Sequence, residues 1–269
     1  MRPYSRVYAT VNLDAVASNM RSMRDNLPAS TLIMGSVKAD GYGHGSVPVA
    51  KTIEPYVFGY AVATIDEGII LRRHGINKTI LILGVTHESR YEDLLRYDIR
   101  TAMFQYEKAK KLSDLALKQG KKAVVHLALD TGMSRIGMKA DREHAKEAAS
   151  IAALEGIEVE GLFTHFARAD ETDKSAYEEQ YRRYKEFLGY LKELGVKIPI
   201  RHCSNSAGIV ESLESNHMDM VRAGIAIYGM YPSDEVDHNS VKLTPAMEIK
   251  SCITYIKEIG AGTAVSYGG

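Results

Sequence analysis

The feature that most limits the possible folds of this chain is an alternation. Eight short apolar runs (31–37, 56–63, 79–85, 99–104, 123–129, 159–166, 198–204 and 218–229) are separated by longer segments of helical character. The runs are continuously apolar rather than strictly in–out, as parallel strands covered on both faces are. Parallel neighbours need a crossover between them, normally a helix. Eight such units in 269 residues predict a (β/α)8 barrel, an α/β fold that fills roughly 250 residues as one domain. A doubly wound open sheet is the alternative that the pattern alone leaves open.

The intervening segments carry helix punctuation. A helical pattern covers 13–26, and Thr64-Ile65-Asp66-Glu67 is a capping-box sequence ahead of an apolar run. Segments 105–120, 141–156 and 173–195 each end at a glycine, Gly120, Gly156 and Gly195, a common helix stop. Tyr177, Tyr181 and Tyr184 recur at helical spacing and predict a packed face.

Two pieces lie outside the eight units. Residues 6–12 look like a strand, and 247–256 alternates apolar and polar residues before a Gly-rich end. The expected organisation is an N-terminal strand within 1–12, a barrel over 13–240, and the start of a β domain over 241–269 with which the first strand pairs. A lone hairpin is marginal in water.

Composition excludes several functions. Lys plus Arg equals Asp plus Glu at 34 each, so nothing pulls the chain toward nucleic acid or an anionic membrane surface. The two cysteines, Cys203 and Cys252, make neither a CxxC pair nor a disulfide framework, and a reducing cytoplasm fits best. No run has the length of a membrane span, and Met1-Arg2-Pro3-Tyr4 opens no signal peptide. His202-Cys203 lacks a second pair at ligand spacing, so no metal is expected. His126 reads as an interior histidine with its hydrogen bonds met, His44 either as a group touching a ligand region or as a capping or hydrogen-bonding group, and Met133 and Met138 as core.

The first apolar run ends in Ser36-Val37-Lys38-Ala39-Asp40-Gly41-Tyr42-Gly43-His44-Gly45. Side chains at the C-terminal ends of barrel strands point into the active-site mouth. A half-desolvated lysine there suits Schiff-base chemistry, since the neutral amine is the nucleophile. Gly41, Gly43 and Gly45 let backbone approach a ligand closely, and Tyr42 places a phenol between two of them. The loop lacks the GK[ST] ending of a Walker motif.

"VKADGYGHG" resembles the signature around the pyridoxal-phosphate lysine of the bacterial alanine racemase family, fold-type III enzymes with a barrel and a C-terminal β domain. Further resemblances follow in order: "DTGMSRIG" (130–137), "THFARADE" (164–171), "SNSAG" (204–208), "VRAGIAIYG" (221–229) and "VSYGG" (265–269). The resemblance implies pyridoxal 5'-phosphate as cofactor, bound by Lys38, Tyr42, Arg135, His165, Asn205, Ser206, Arg222, Gly224 and Ile225. It implies Lys38 and Tyr267 as bases on opposite faces of a cofactor aldimine, Lys38 for the D-substrate and Tyr267 for the L-substrate. His165 would help a phenol of ordinary pKa near 10 act as a base. Arg222 would face the pyridine nitrogen, where an arginine leaves that atom an unprotonated acceptor and limits charge delocalisation into the ring. The implied activity is interconversion of L- and D-alanine for peptidoglycan, by a homodimer that sets the tyrosine of one subunit against the lysine of the other.

Two departures from the family stand out. Ala128 occupies the position of a lysine, often carbamylated, in many members, so another carboxylate or an anion is expected to orient Arg135. The chain also stops two residues after Tyr267, which leads to the expectation of a truncated product whose cofactor binding outlasts its racemisation. The competing readings are a serine racemase of the same family, such as the glycopeptide-resistance type, and a non-catalytic barrel that only binds pyridoxal phosphate.

Overall fold

The computed structural model describes residues 6–268; residues 1–5 of the expected N-terminal segment, and Gly269, lie outside the described residues. The strands are β1 (Val7–Val11), β2 (Leu32–Ser36), β3 (Gly59–Val62), β4 (Thr79–Ile82), β5 (Arg100–Met103), β6 (Ala123–Asp130), β7 (Met138–Lys139), β8 (Ile157–Phe163), β9 (Ile200–His202), β10 (Met220–Ala223) and β11 (Met247–Ser251). Parallel pairing runs β5-β4-β3-β2-β10-β9-β8-β6, and β5 pairs with β6 to close the ring. All eight expected runs therefore become barrel strands, and the open-sheet alternative is excluded. The two-residue β7 adds to the end of β6.

Strand parity decides what faces inward. Ile33, Val125, Leu127 and Leu162 belong to the large core between strands and helices, which holds most of the buried apolar side chains. Their neighbours Met34, Ala61, Leu81 and Met220 form a separate cluster, as do Ala102, Ala128 and Phe163. These fill the barrel interior, as alternation along each strand requires.

The helices follow the sequence signals with small shifts. Asn12 accepts from Asp14 N and Ala15 N and caps the helix Leu13–Asp25. Thr64 and Glu67 form the full capping box of Ile65–Arg73. The helices Tyr106–Lys118 and Ser175–Glu193 are followed by Gly120 and Gly195 at positive φ, as expected of glycine stops. Gly156 is a correction: the helix Arg142–Ala152 ends earlier, and a Cβ on Gly156 would lie 2.3 Å from Ser113 O. Close packing, not helix termination, requires that glycine. Tyr177, Tyr181 and Tyr184 are buried on one helix face, as their spacing predicted.

β1 and β11 form a two-stranded antiparallel sheet, Val7 opposite Ser251 and Val11 opposite Met247. The expected alternating strand stops at Ser251. Beyond it Ile253, Tyr255, Ile256 and Val265 are exposed. Among the described residues no helix is long and apolar enough to cross a membrane.

Candidate active site

A cavity of about 590 Å3 opens at the C-terminal ends of the barrel strands. Its wall includes Lys38, Tyr42, Arg135, His165, Asn205, Ser206, Arg222, Gly224 and Ile225. The fold thus gathers nine of the residues singled out in the sequence from segments more than 180 positions apart. Tyr267 is not among them and is fully exposed.

Lys38 is placed by an unusual backbone. Ala39, Asp40, Gly41 and Tyr42 all have φ between 50° and 61°, a run of left-handed conformation. Residues with a Cβ pay on the order of 1–2 kcal/mol each for that region. Short hydrogen bonds hold the turn: Asp40 Oδ1 accepts from Ser46 N at 2.8 Å, Asp40 O from Gly45 N at 2.9 Å, and Glu67 Oε1 from Ala39 N at 2.8 Å. The turn swings Tyr42 beside Lys38, whose Nζ lies 5.0 Å from the phenol ring centroid. Tyr42 and His44 both pack on Tyr228, with centroids 5.0 and 4.6 Å apart, and His44 Nδ1 lies 3.2 Å from Tyr42 O. His44 thus takes a hydrogen-bonding role, one of the two readings open to it.

Two hydroxyls, with the Cβ of Ser36 beside them, lie near Gly224. A Cβ added there would meet Tyr42 OH at 3.5 Å, Ser206 Oγ at 3.6 Å and Ser36 Cβ at 4.0 Å. Ser206 Oγ accepts from Gly224 N at 2.9 Å and Ala226 N at 3.3 Å, which joins the loop after β9 to the loop after β10. Asn205 caps the short helix Ser206–Val210 through Gly208 N at 3.1 Å. Ser36 is buried and lines the cavity, yet its Oγ has no hydrogen-bond partner among the described residues. A buried unpaired hydroxyl is costly unless a ligand satisfies it. Sequence reasoning passed over Ser36; its signal was strand parity, because Met34, Ser36 and Lys38 share the inward face.

Arg222 is almost wholly buried. Its guanidinium donates to Thr164 O (2.7 Å), Cys203 O (3.1 Å) and His202 O (3.1 Å), and contacts His202 Nδ1 (2.9 Å) and His165 Nδ1 (3.2 Å). No carboxylate among the described residues is hydrogen-bonded to it. Burial lowers its pKa to about 10, and it remains a cation at neutral pH. His165 is lowered to about 3, first by burial and then by the charges of Arg222, Arg135 and Lys38. Its imidazole is therefore neutral.

Three basic side chains, Lys38, Arg135 and Arg222, line the cavity against Asp130 and Asp170. Asp130 is already engaged by Gly132 N and Ser134 N. The surplus fits an anionic ligand. The hydroxyl cradle over Gly224 and the unpaired Ser36 fit a phosphate, and the lysine beside them fits an aldehyde, so the residues present suit pyridoxal phosphate.

Two expectations require correction. Met133 is half-buried and lines the cavity rather than the core, whereas Met138 is core. The space beside Ala128 is occupied by Ala102, Phe163, Leu83 and Phe104, and no carboxylate among the described residues pairs with Arg135, which is exposed. His126 is buried with both ring nitrogens hydrogen-bonded, as its reading as an interior group implied.

Residues 11–232 match the family model described as alanine racemase, N-terminal domain. The alanine racemase of Desulforamulus reducens is 43% identical over 97% of this chain and 71% of its own length. A solved alanine racemase from Clostridium difficile superposes with a TM-score of 0.93 at 41% identity, covering 99% of this chain and 70% of the other. Its complex with cycloserine superposes at 0.92 and 42% identity, covering 96% and 71%.

Proposed function

The chain belongs to the alanine racemase family, and from that premise we propose that it interconverts L- and D-alanine with pyridoxal phosphate held at Lys38, supplying the D-alanine that peptidoglycan consumes. The observation that carries this reading is the meeting of Lys38 with the Tyr42 and Ser206 hydroxyls near Gly224 inside one cationic cavity. When bound, the cofactor acts as an electron sink that acidifies the Cα–H of an amino acid.

The chain's own residues then have separable tasks. Ser206, Tyr42 and the backbone at Gly224 and Ile225 would hold the phosphate, and Asn205 fixes the loop that carries Ser206. Lys38 Nζ would move the proton on one face of the substrate. Arg222 would donate to the ring nitrogen and, as a cation without an acceptor, would leave that atom unprotonated. Arg135, on the cavity wall, would serve the phenolic oxygen. His165, neutral and beside Arg222, is placed to support a phenol base. Tyr267 is that base on the opposite face in this proposal, presented by a second copy of the chain. Its full exposure supports such a role, as do the exposed apolar side chains Ile253, Tyr255, Ile256 and Val265 of the same C-terminal segment. The cycloserine complex of the solved relative supports an amino-acid-like ligand here.

The test is direct. The chain is incubated with pyridoxal phosphate and either L-alanine or L-serine, and the D-product is measured by chiral chromatography. D-alanine formed by wild type, and lost in Lys38→Ala, is the expected result. D-serine formed faster than D-alanine identifies a serine racemase, and cofactor binding without either product contradicts racemisation by this chain.

A further inference from the structure

A line of buried polar groups leaves the site and crosses the barrel interior. Arg222 Nη1 lies 2.9 Å from His202 Nδ1, His202 Nε2 lies 2.8 Å from His126 Nδ1, and His126 Nε2 lies 2.9 Å from Glu160 Oε2. Both imidazoles are fully buried, and Glu160 is mostly so.

The proton positions along this line are forced. A guanidinium has no acceptor, so His202 Nδ1 must be bare. His202 then carries its proton on Nε2 and donates it to His126 Nδ1, which must be bare in turn. His126 carries its proton on Nε2 and donates to the carboxylate. Neither end can reverse: arginine cannot accept, and an ionised carboxylate cannot donate. One cation and one anion therefore terminate two neutral rings in a single direction. Burial, with Arg222 and then His126 as nearby charges, pushes His202 well below its ordinary value, and burial likewise lowers His126. Burial raises Glu160, but His126 and Arg100 outweigh it and leave the carboxyl below its ordinary value.

We propose that Glu160 is a positioning residue for Arg222, fixing the tautomers of His126 and His202 so that the guanidinium at the cavity always meets a bare ring nitrogen. The proposal rests on the reading of Arg222 as a site residue, but the proton positions follow from the geometry whatever the ligand. The simpler role for Glu160, an ion pair with Arg100, is weaker on distance. Arg100 Nε is 3.5 Å from the same oxygen and makes no hydrogen bond, whereas the His126 contact is aligned at 2.9 Å. Arg100 also has Asp98 at 2.8 Å.

Nitrogen NMR of histidine-labelled full-length chain, with and without added pyridoxal phosphate, reads both tautomers without any activity measurement. In wild type both rings are expected neutral with the proton on Nε2 from about pH 5 to 8, where a free imidazole would titrate. Glu160→Gln keeps an acceptor and is expected to retain that pattern. Glu160→Leu orphans the His126 proton, and the His202 signals, one ring removed, are expected to move toward mixed tautomers. Phosphate-cofactor affinity is expected to fall by on the order of tenfold in Glu160→Leu, with recovery in Glu160→Gln, as for other outer partners that orient a ligand-binding group. Arg100→Leu is expected to leave His202 unchanged. A protonated or Nδ1–H ring in wild type, an unmoved His202 in folded Glu160→Leu, or an equal shift in Arg100→Leu overturns the proposal. Loss of cofactor binding in every protein with the tautomers intact would instead contradict the functional reading alone.

Discussion

Glu67 Oε1 accepts a hydrogen bond from Ala39 N at 2.8 Å, while its Oε2 accepts from Ala63 N at 2.7 Å. One carboxylate thus caps a barrel helix and fastens the first left-handed residue after Lys38. Strain at Ala39, Asp40 and Tyr42 persists because this tie and the Asp40–Ser46 bond over-determine the turn.

Glu67→Ala is accordingly expected to cost about 2–3 kcal/mol, more than an ordinary cap, because a charge-assisted bond and a capping bond are lost together. Chemical denaturation checks the magnitude. Glu67→Gln, which keeps one acceptor, is expected to recover part of the loss, and a cost below that of a simple cap in Glu67→Ala would show that the tie to Ala39 contributes nothing.

Ser36→Ala removes a hydroxyl that is unpaired in the cavity wall. Cofactor-free protein is expected to keep or slightly gain stability, since no hydrogen bond is broken. Affinity for pyridoxal phosphate is expected to fall on the order of tenfold, the worth of one hydrogen bond to a charged group. Thermal melts and absorbance titration separate the two effects. Unchanged affinity would mean that Ser36 faces no ligand atom.

The buried imidazoles give the fold a definite acid response. His165 is lowered to about 3 in the folded chain, against 6.5 for a free imidazole, by burial and by Arg222. A base with a depressed folded pKa contributes no pH dependence above 6.5, where both states are neutral. Below 6.5 the unfolded chain binds a proton that the folded chain refuses, so stability falls with pH down to about 3. Each such group contributes about 1.4 kcal/mol per pH unit in that window. His126 and His202 are lowered as well and add in the same direction. Unfolding free energy measured from pH 7 to 4 should therefore decline more steeply than in a His165→Asn variant. A flat profile would contradict the burial of neutral imidazoles.

Sequence periodicity was enough for eight parallel strands joined by crossovers, because each apolar run has room for only one strand. Closure into a barrel rather than an open sheet depends on the pairing of β5 with β6, which no local pattern encodes. Boundaries slipped where packing, not propensity, decides: Gly156 is small because Ser113 lies against it. The site was legible wherever a residue type is chemically unusual for its place, as Lys38 at a strand end and Arg222 inside a barrel are. It was not legible for Ser36, Glu67 or Glu160, which are ordinary residue types whose role comes from partners 28 or more positions away or from the lack of one. The backbone of 39–42 was also hidden, since only Gly41 among those residues advertises a left-handed conformation.

The central claim is a covalent bond between the Lys38 amine and the aldehyde of pyridoxal phosphate. Adding the cofactor, reducing with borohydride and mapping peptides by mass spectrometry tests it most directly. The account predicts one phosphopyridoxyl group on the peptide carrying Lys38, and no label at that peptide in Lys38→Ala. A label spread over surface lysines, or fixed on another lysine with Lys38 unmodified, would contradict it.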